Sequence, residues 1–154
     1  MVLSSYSKIN LSLLVNSKQK SGLHNIQSYF CLINLKDKIK IKKIDEKSDK
    51  INFTGPFSKL INKKDNSIKS VLVLLRKLKL ISSCYSVVVK KNIPVFAGLG
   101  GGTSNAFTVM KHIMRKKLSK KNLNIIKKKI GSDLELFFYK QGFLKNLGSI
   151  INQK

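Results

Sequence analysis

Arginine, cysteine and acidic side chains are scarce in this chain of 154 residues, and no apolar run is long. The two cysteines, Cys31 and Cys84, lie far apart with neither a CxxC partner nor a nearby histidine pair. That excludes a zinc cluster and a redox dithiol, and it fits a reduced, cytoplasmic setting. The first apolar stretch, residues 11–15, is bracketed by Lys8 and Lys18. It falls far short of the roughly 20 residues a spanning helix needs, so no membrane partner is expected.

Seven acidic residues stand against 31 lysines and arginines, giving a net charge of +24. Such an excess ordinarily points to an anionic partner. Here only Arg76 and Arg115 are arginines, whereas nucleic-acid sites favour the planar guanidinium fork. The lysines are spread along the whole chain and accompany many isoleucines and asparagines, as an AT-biased coding sequence produces. A solvated lysine surface is the simpler account, and a nucleic-acid partner is disfavoured.

What is present suffices for one core: 42% of the residues are hydrophobic, and the length argues a single domain over residues 1–154. Ile9, Leu11, Leu13 and Val15 alternate with Lys8, Asn10, Ser12 and Leu14, which predicts a strand over residues 7–15 displaying Lys8 and Asn10 on one face. A second extended region covers residues 25–35, and Ile39 and Ile41 continue the alternation among lysines. Residues 51–66, with their Gly55-Pro56 turn, read as a connection holding short ordered pieces. Ile68, Val71, Leu72, Leu75 and Leu78 recur at helical spacing and predict a helix over 67–80, capped by Asn66 or Ser67. Residues 85–89 form a β-branched strand. Ala106, Phe107, Met110, Ile113 and Met114 mark another helix, and residues 119–130 a third that ends at Gly131. The string LELFFYKQGFLKN reads as strand. The class is α+β, a mixed or antiparallel sheet packed against helices.

The chemistry concentrates in residues 94–106, PVFAGLGGGTSNA, where four glycines fall within five positions and two hydroxyl residues open a helix. Glycines let main-chain amides approach an anion closely, and a helix amino terminus adds partial positive charge. No lysine follows the last glycine as in a Walker loop, and the spacing is not GxGxxG. Taken alone, the loop is as compatible with a structural turn as with a phosphate site.

The full string PxxxGLGGGTSNA closely resembles the second motif of the GHMP kinases, and its GLGGG variant resembles the branch of that family acting on 4-diphosphocytidyl-2-C-methyl-D-erythritol. In the family's order, Ser7-Lys8-Ile9-Asn10-Leu11 resembles its opening A-K-(I/L)-N-L motif. Residues 21–28, SGLHNIQS, resemble DGYH-x-(I/L)-x-(S/T), and Ile130-Gly131-Ser132-Asp133 resembles (I/L)-G-(A/S)-D.

The resemblance implies a GHMP kinase amino-terminal domain that uses ATP and Mg²⁺ to phosphorylate the 2-hydroxyl of that substrate, on the methylerythritol phosphate route to isoprenoids. It assigns Pro94, Gly98, Leu99, Gly100, Gly101, Gly102, Thr103 and Ser104 to ATP, with Asn66 and Lys91 on the adenine side. Asp133 matches the catalytic aspartate, and Lys8 the active-site lysine that offsets charge on the transferred group. Asn10 supplies a hydrogen bond in the same site. With Lys8, Asn10 and Asp133 also facing the substrate, His24 matches the histidine that reads the cytosine ring. Thr103 and Ser104 are available as hydroxyls for phosphate or Mg²⁺, and no further metal ligands are assigned.

Each assignment has a plainer counterpart: a turn residue at Asp133, a surface lysine at Lys8, an exposed loop histidine at His24, helix caps at Thr103 and Ser104. Two positions depart from the family pattern, Leu23 for a stacking tyrosine and Glu135 for a proline. The family's carboxy-terminal domain has no counterpart in these residues. A chain completed by a second polypeptide, an inactive family remnant and a basic nucleic-acid-binding domain are the alternatives to an active kinase.

Overall fold

The computed structural model describes residues 1–18, 24–63, 65–114, 118–146 and 149–151. Seven strands form one sheet: β1 (Leu3–Asn10), β2 (Leu14–Lys18), β3 (His24–Ile44), β4 (Lys50–Thr54), β5 (Cys84–Lys90), β6 (Gln141–Asn146) and β7 (Ser149–Ile151). Three α-helices join them, α1 (Ser67–Lys77), α2 (Gly101–Ile113) and α3 (Lys120–Ile130), with 3-10 turns at Ser58–Leu60 and Ser132–Phe138. None of the described helices is long and apolar enough to cross a membrane.

The 21-residue β3 organises everything else. Along one edge it pairs with β2 and then β1, along the other with β6 and then β5, all antiparallel. Among the described residues only β4 and β5 run parallel. The even-numbered lysines 38, 40 and 42 stay exposed, while Ile39 is fully buried and Ile41 half-buried, the in-and-out pattern of a sheet covered on one face.

The strand expected over residues 7–15 is divided in two, because β1 leaves the sheet after Asn10 and β2 begins at Leu14. A register shift between Tyr6 and Ser7 also interrupts the alternation, so Ser7 and Lys8 are both buried. The two extended regions predicted on either side of residue 36 are one continuous strand. The connection at 51–66 holds β4 and the first 3-10 turn.

In α1, Ile68, Val71, Leu72 and Leu75 are all buried, and Asn66 accepts the Lys69 amide at 3.0 Å, so asparagine rather than serine provides the cap. Helix α2 buries two sides at once: Val109 against the sheet residues Ile39, Val87 and Val89, and Ala106, Phe107 and Met110 against α1, α3 and the second 3-10 turn. Ser119, read as the first residue of the third helix, is instead its cap, its hydroxyl accepting the Asn122 amide at 3.2 Å. The segment read as strand after Gly131 is instead a 3-10 turn. Phe137 packs with Phe107 while Leu136 packs with Phe30 and Leu144, two separate clusters that a single strand face could not reach. Only residues 141–146 of that stretch are strand.

Opposite the loop end of the fold, Asp49 receives the Arg76 guanidinium and the Tyr85 amide, the latter at 2.9 Å, tying α1 to the sheet. The hydrogen bond to Asp49 raises the Arg76 pKa above its already high ordinary value, against the opposing effect of burial.

Candidate active site

The glycine loop is suspended between two anchors. At its start, the Asp37 carboxylate, buried on β3, holds the Lys91 ammonium at 2.5 Å and the Asn92 and Ile93 amides at 2.7 and 2.8 Å. At its end, the Leu99 carbonyl accepts the Lys8 amide of β1 at 3.0 Å. Neither anchor has a local sequence signature beyond residue type: 54 residues separate Asp37 from Lys91.

Beyond Leu99 the chain turns into α2 through Gly100, whose φ of 68° is left-handed. A β-carbon here would stand 3.0 Å from the Phe137 ring and 3.3 Å from the Lys8 stem, so both conformation and space require glycine. At Gly101 the added carbon would meet the Lys91 ammonium at 2.9 Å. The amides of Gly101, Gly102 and Thr103 occupy the first turn of α2, where no intrahelical acceptor exists. The Ser67 hydroxyl donates to the Gly102 carbonyl at 2.7 Å, so the amino termini of α1 and α2 converge. Two helix termini facing one cleft make it attractive to anions.

That cleft, about 300 Å³, is lined by Pro94, residues 98–103, Asn66 and Lys91. Its lining also includes the apolar Phe53, Ile61 and Ile68. Asn66 and Lys91 reach it with their polar ends already engaged, the first as the α1 cap and the second with Asp37. Ser104 departs from its sequence-based assignment. Its hydroxyl is buried, 2.8 Å from the Ser5 hydroxyl and 2.6 Å from the Tyr6 carbonyl, because its place on α2 turns it toward β1 rather than the cleft. Thr103 remains at the cleft and packs beside Gly131.

Lys8, Asn10 and Asp133 meet beside the loop. The Lys8 ammonium lies 3.1 Å from Asp133 Oδ2 and donates to Asn10 Oδ1 at 3.3 Å, with its stem against Gly100. The Lys8 side chain is 8% exposed and that of Asp133 32%, so the carboxylate opens to solvent while the lysine supports it from within. Glu135, which stands where the family pattern has proline, forms an ion pair with Lys127 of α3. His24 begins β3 opposite Lys18, and its side chain, like residues 19–23, lies outside the described residues.

The arrangement fits a nucleotide: free amides for phosphates, an apolar wall for a base and a carboxylate next to the cradle. Asn105 adds a signal that the motif reading passed over. Its Oδ1 is buried without a partner, in a residue that also lines the cleft, and buried acceptors are ordinarily satisfied. Among the described residues no group of three or more histidine, cysteine or carboxylate side chains could hold a metal by itself. Magnesium commonly binds through one or two carboxylates together with substrate phosphates, and Asp133 and Thr103 are the groups at hand.

Residues 66–139 match the family model described as GHMP kinases N terminal domain. These residues take in the glycine loop, α2, α3 and Asp133, and over them the chain is similar to a GHMP kinase amino-terminal domain. A 4-diphosphocytidyl-2-C-methyl-D-erythritol kinase from Pelagibacter ubique (strain HTCC1062) is 45% identical over 136 residues, covering 86% of this chain and 48% of that protein. The namesake from Francisella tularensis subsp. tularensis (strain WY96-3418) is 32% identical over 155 residues, covering 97% and 55%. A crystal structure of 4-(cytidine 5'-diphospho)-2C-methyl-D-erythritol kinase superposes with a TM-score of 0.72 at 21% identity, over 99% of this chain and 55% of that one. The Methanococcus jannaschii mevalonate kinase shares the fold with a TM-score of 0.64 at 18% identity, over 100% of this chain and 56% of that one. The chain spans about half the length of the curated relatives it matches.

Proposed function

We propose that residues 1–154 form the ATP-binding domain of a kinase that phosphorylates the 2-hydroxyl of 4-diphosphocytidyl-2-C-methyl-D-erythritol. The observation that carries this reading is the contact of Lys8 with Asp133 at 3.1 Å immediately beside the glycine cradle at Gly100. The acceptor comes from the names of the relatives, at 45% and 32% identity.

ATP, held with Mg²⁺, supplies the γ-phosphoryl group. The first-turn amides of α2 bind phosphate oxygens, while Phe53, Ile61 and Ile68 offer the base an apolar wall. Asp133 takes the proton from the attacking hydroxyl, a step general bases typically accelerate about 10²–10⁴-fold. Lys8 orients that carboxylate and offsets the charge that builds on the transferred group. Asn10, held by Lys8, directs a hydrogen bond to the acceptor. His24 takes the cytosine ring. The rest of the enclosure, which excludes water from the reaction, comes from a carboxy-terminal half, either in the same polypeptide or in a second chain.

The test is ADP release from ATP·Mg²⁺ with 4-diphosphocytidyl-2-C-methyl-D-erythritol, using the chain alone and together with the carboxy-terminal half of the Pelagibacter relative. Turnover that needs the alcohol and disappears in Asp133→Asn is expected. No turnover in either arrangement, or ADP release indifferent to the alcohol, overturns the assignment.

A further inference from the structure

Phe96 is out of keeping with its surroundings. It is 95% exposed, the most exposed phenylalanine in the described chain, and its φ of 62° is left-handed. Glycine adopts that backbone freely, whereas a residue bearing a β-carbon is strained there and a bulky one rarely tolerates it. Folding gains nothing in return, since the ring buries almost no area against the protein. Scattered exposed apolar residues are ordinary, but this ring stands at the rim of the cleft, facing the same space as Phe53, Ile61 and Ile68.

We propose that Phe96 stacks on the purine base of the nucleotide, closing the cleft from the solvent side while the first turn of α2 holds the phosphates. This rests on the nucleotide reading of the cleft. The cleft volume of about 300 Å³ is at the small end for a ligand site, so a base lying on the apolar wall keeps one face uncovered unless something covers it. A planar ring on the loop that also carries Gly98 to Gly102 covers that face, and the loop's two anchors, at Asp37 and at Lys8, fix the distance between ring and phosphate cradle. Covering the base also removes the exposed phenyl from water, which accounts for a strained aromatic where glycine would be easier. Phe96 is therefore a residue that holds the base, with no part in the phosphoryl step.

The experiment compares binding of ATP and of inorganic tripolyphosphate by calorimetry in the wild-type chain and in Phe96→Ala, with far-UV circular dichroism establishing that the variant is folded. Stacking of a base on an aromatic side chain corresponds to roughly a tenfold change in affinity or more. The expected result is that loss for ATP, with tripolyphosphate changed less than about twofold. The chain contains no tryptophan, so Phe96→Trp introduces a single tryptophan whose emission is read apart from that of the tyrosines. Its fluorescence is expected to change on adding ATP and to stay constant on adding tripolyphosphate. Equal affinity of Phe96→Ala and wild type for ATP, or equal weakening for both ligands, overturns the stacking role while leaving the nucleotide site standing. Failure of the wild-type chain to bind either ligand overturns the nucleotide reading and this inference with it.

Discussion

The Lys8 ammonium and the Asp133 carboxylate, 125 positions apart in sequence, sit 3.1 Å from each other with Gly100 packed against the lysine stem. One contact thus joins the first strand, the glycine loop and the turn after α3. Removing either charge separates orientation of the base from binding of the phosphates. Asp133→Asn is expected to lower turnover by at least about 10²-fold while ATP affinity changes by less than threefold. Steady-state ADP release and equilibrium titration measure the two quantities side by side.

Two glycines of the loop make an internal control. Gly98 and Gly100 have nearly the same left-handed φ, 71° and 68°, but a β-carbon at Gly98 meets nothing within 4 Å, whereas at Gly100 it meets Phe137 at 3.0 Å. Alanine at either position carries a backbone cost of about 1–2 kcal/mol. Gly100→Ala is expected to lose further stability and most of its ATP affinity, and Gly98→Ala to lose only the common part. Urea midpoints and ATP titrations of the pair distinguish the contributions.

Asp37 and Lys91 are a buried pair, 0% and 2% exposed at their side chains. Asp37→Asn leaves the ammonium without its counter-charge under the loop, and breaking such a pair typically costs about 3–5 kcal/mol. Replacing both, as Asp37→Asn with Lys91→Met, is expected to recover part of that loss. Denaturant unfolding of the single and double variants gives the coupling, and a double variant no more stable than Asp37→Asn would count against the pairing.

Glu135 is tied to Lys127 across the turn that carries Asp133, with side chains 28% and 14% exposed. Partly exposed pairs contribute little, so Glu135→Gln is expected to cost less than about 1 kcal/mol and to leave turnover within threefold. A large loss of turnover without a loss of stability would mean that Glu135 takes part in the chemistry after all. Thermal unfolding together with ADP release checks both.

The helices were legible because their signals are local: Asn66 before Ile68, apolar spacing along each helix, Gly131 after the third. Lys8 and Asn10 were legible as neighbours through strand periodicity, even though the shift between Tyr6 and Ser7 and the end of β1 at Asn10 break the longer pattern. The turn over Ser132–Phe138 was hidden because its apolar residues serve two clusters, and no single-face periodicity describes that. Asp37 was invisible for another reason. A lone aspartate between two lysines looks solvated until the strand that bears it is seen to pass behind the loop. Ser104 misled in the opposite sense, since a hydroxyl at a helix start can face either the cleft or, as here, Ser5.

The 21-residue strand β3 has a bearing on how the protein is made. It carries the partners of β1 and the anchor of the loop, yet Asp133 lies beyond α3, and β6 must follow before the second edge of β3 is filled. A ribosome that has delivered the first hundred residues has therefore released Lys8 without its counter-charge and a glycine segment without the helix that gives it direction. The reactive geometry waits for Asp133 to emerge, and until then a nascent chain holds Lys8 and the glycine segment without the carboxylate that completes the site.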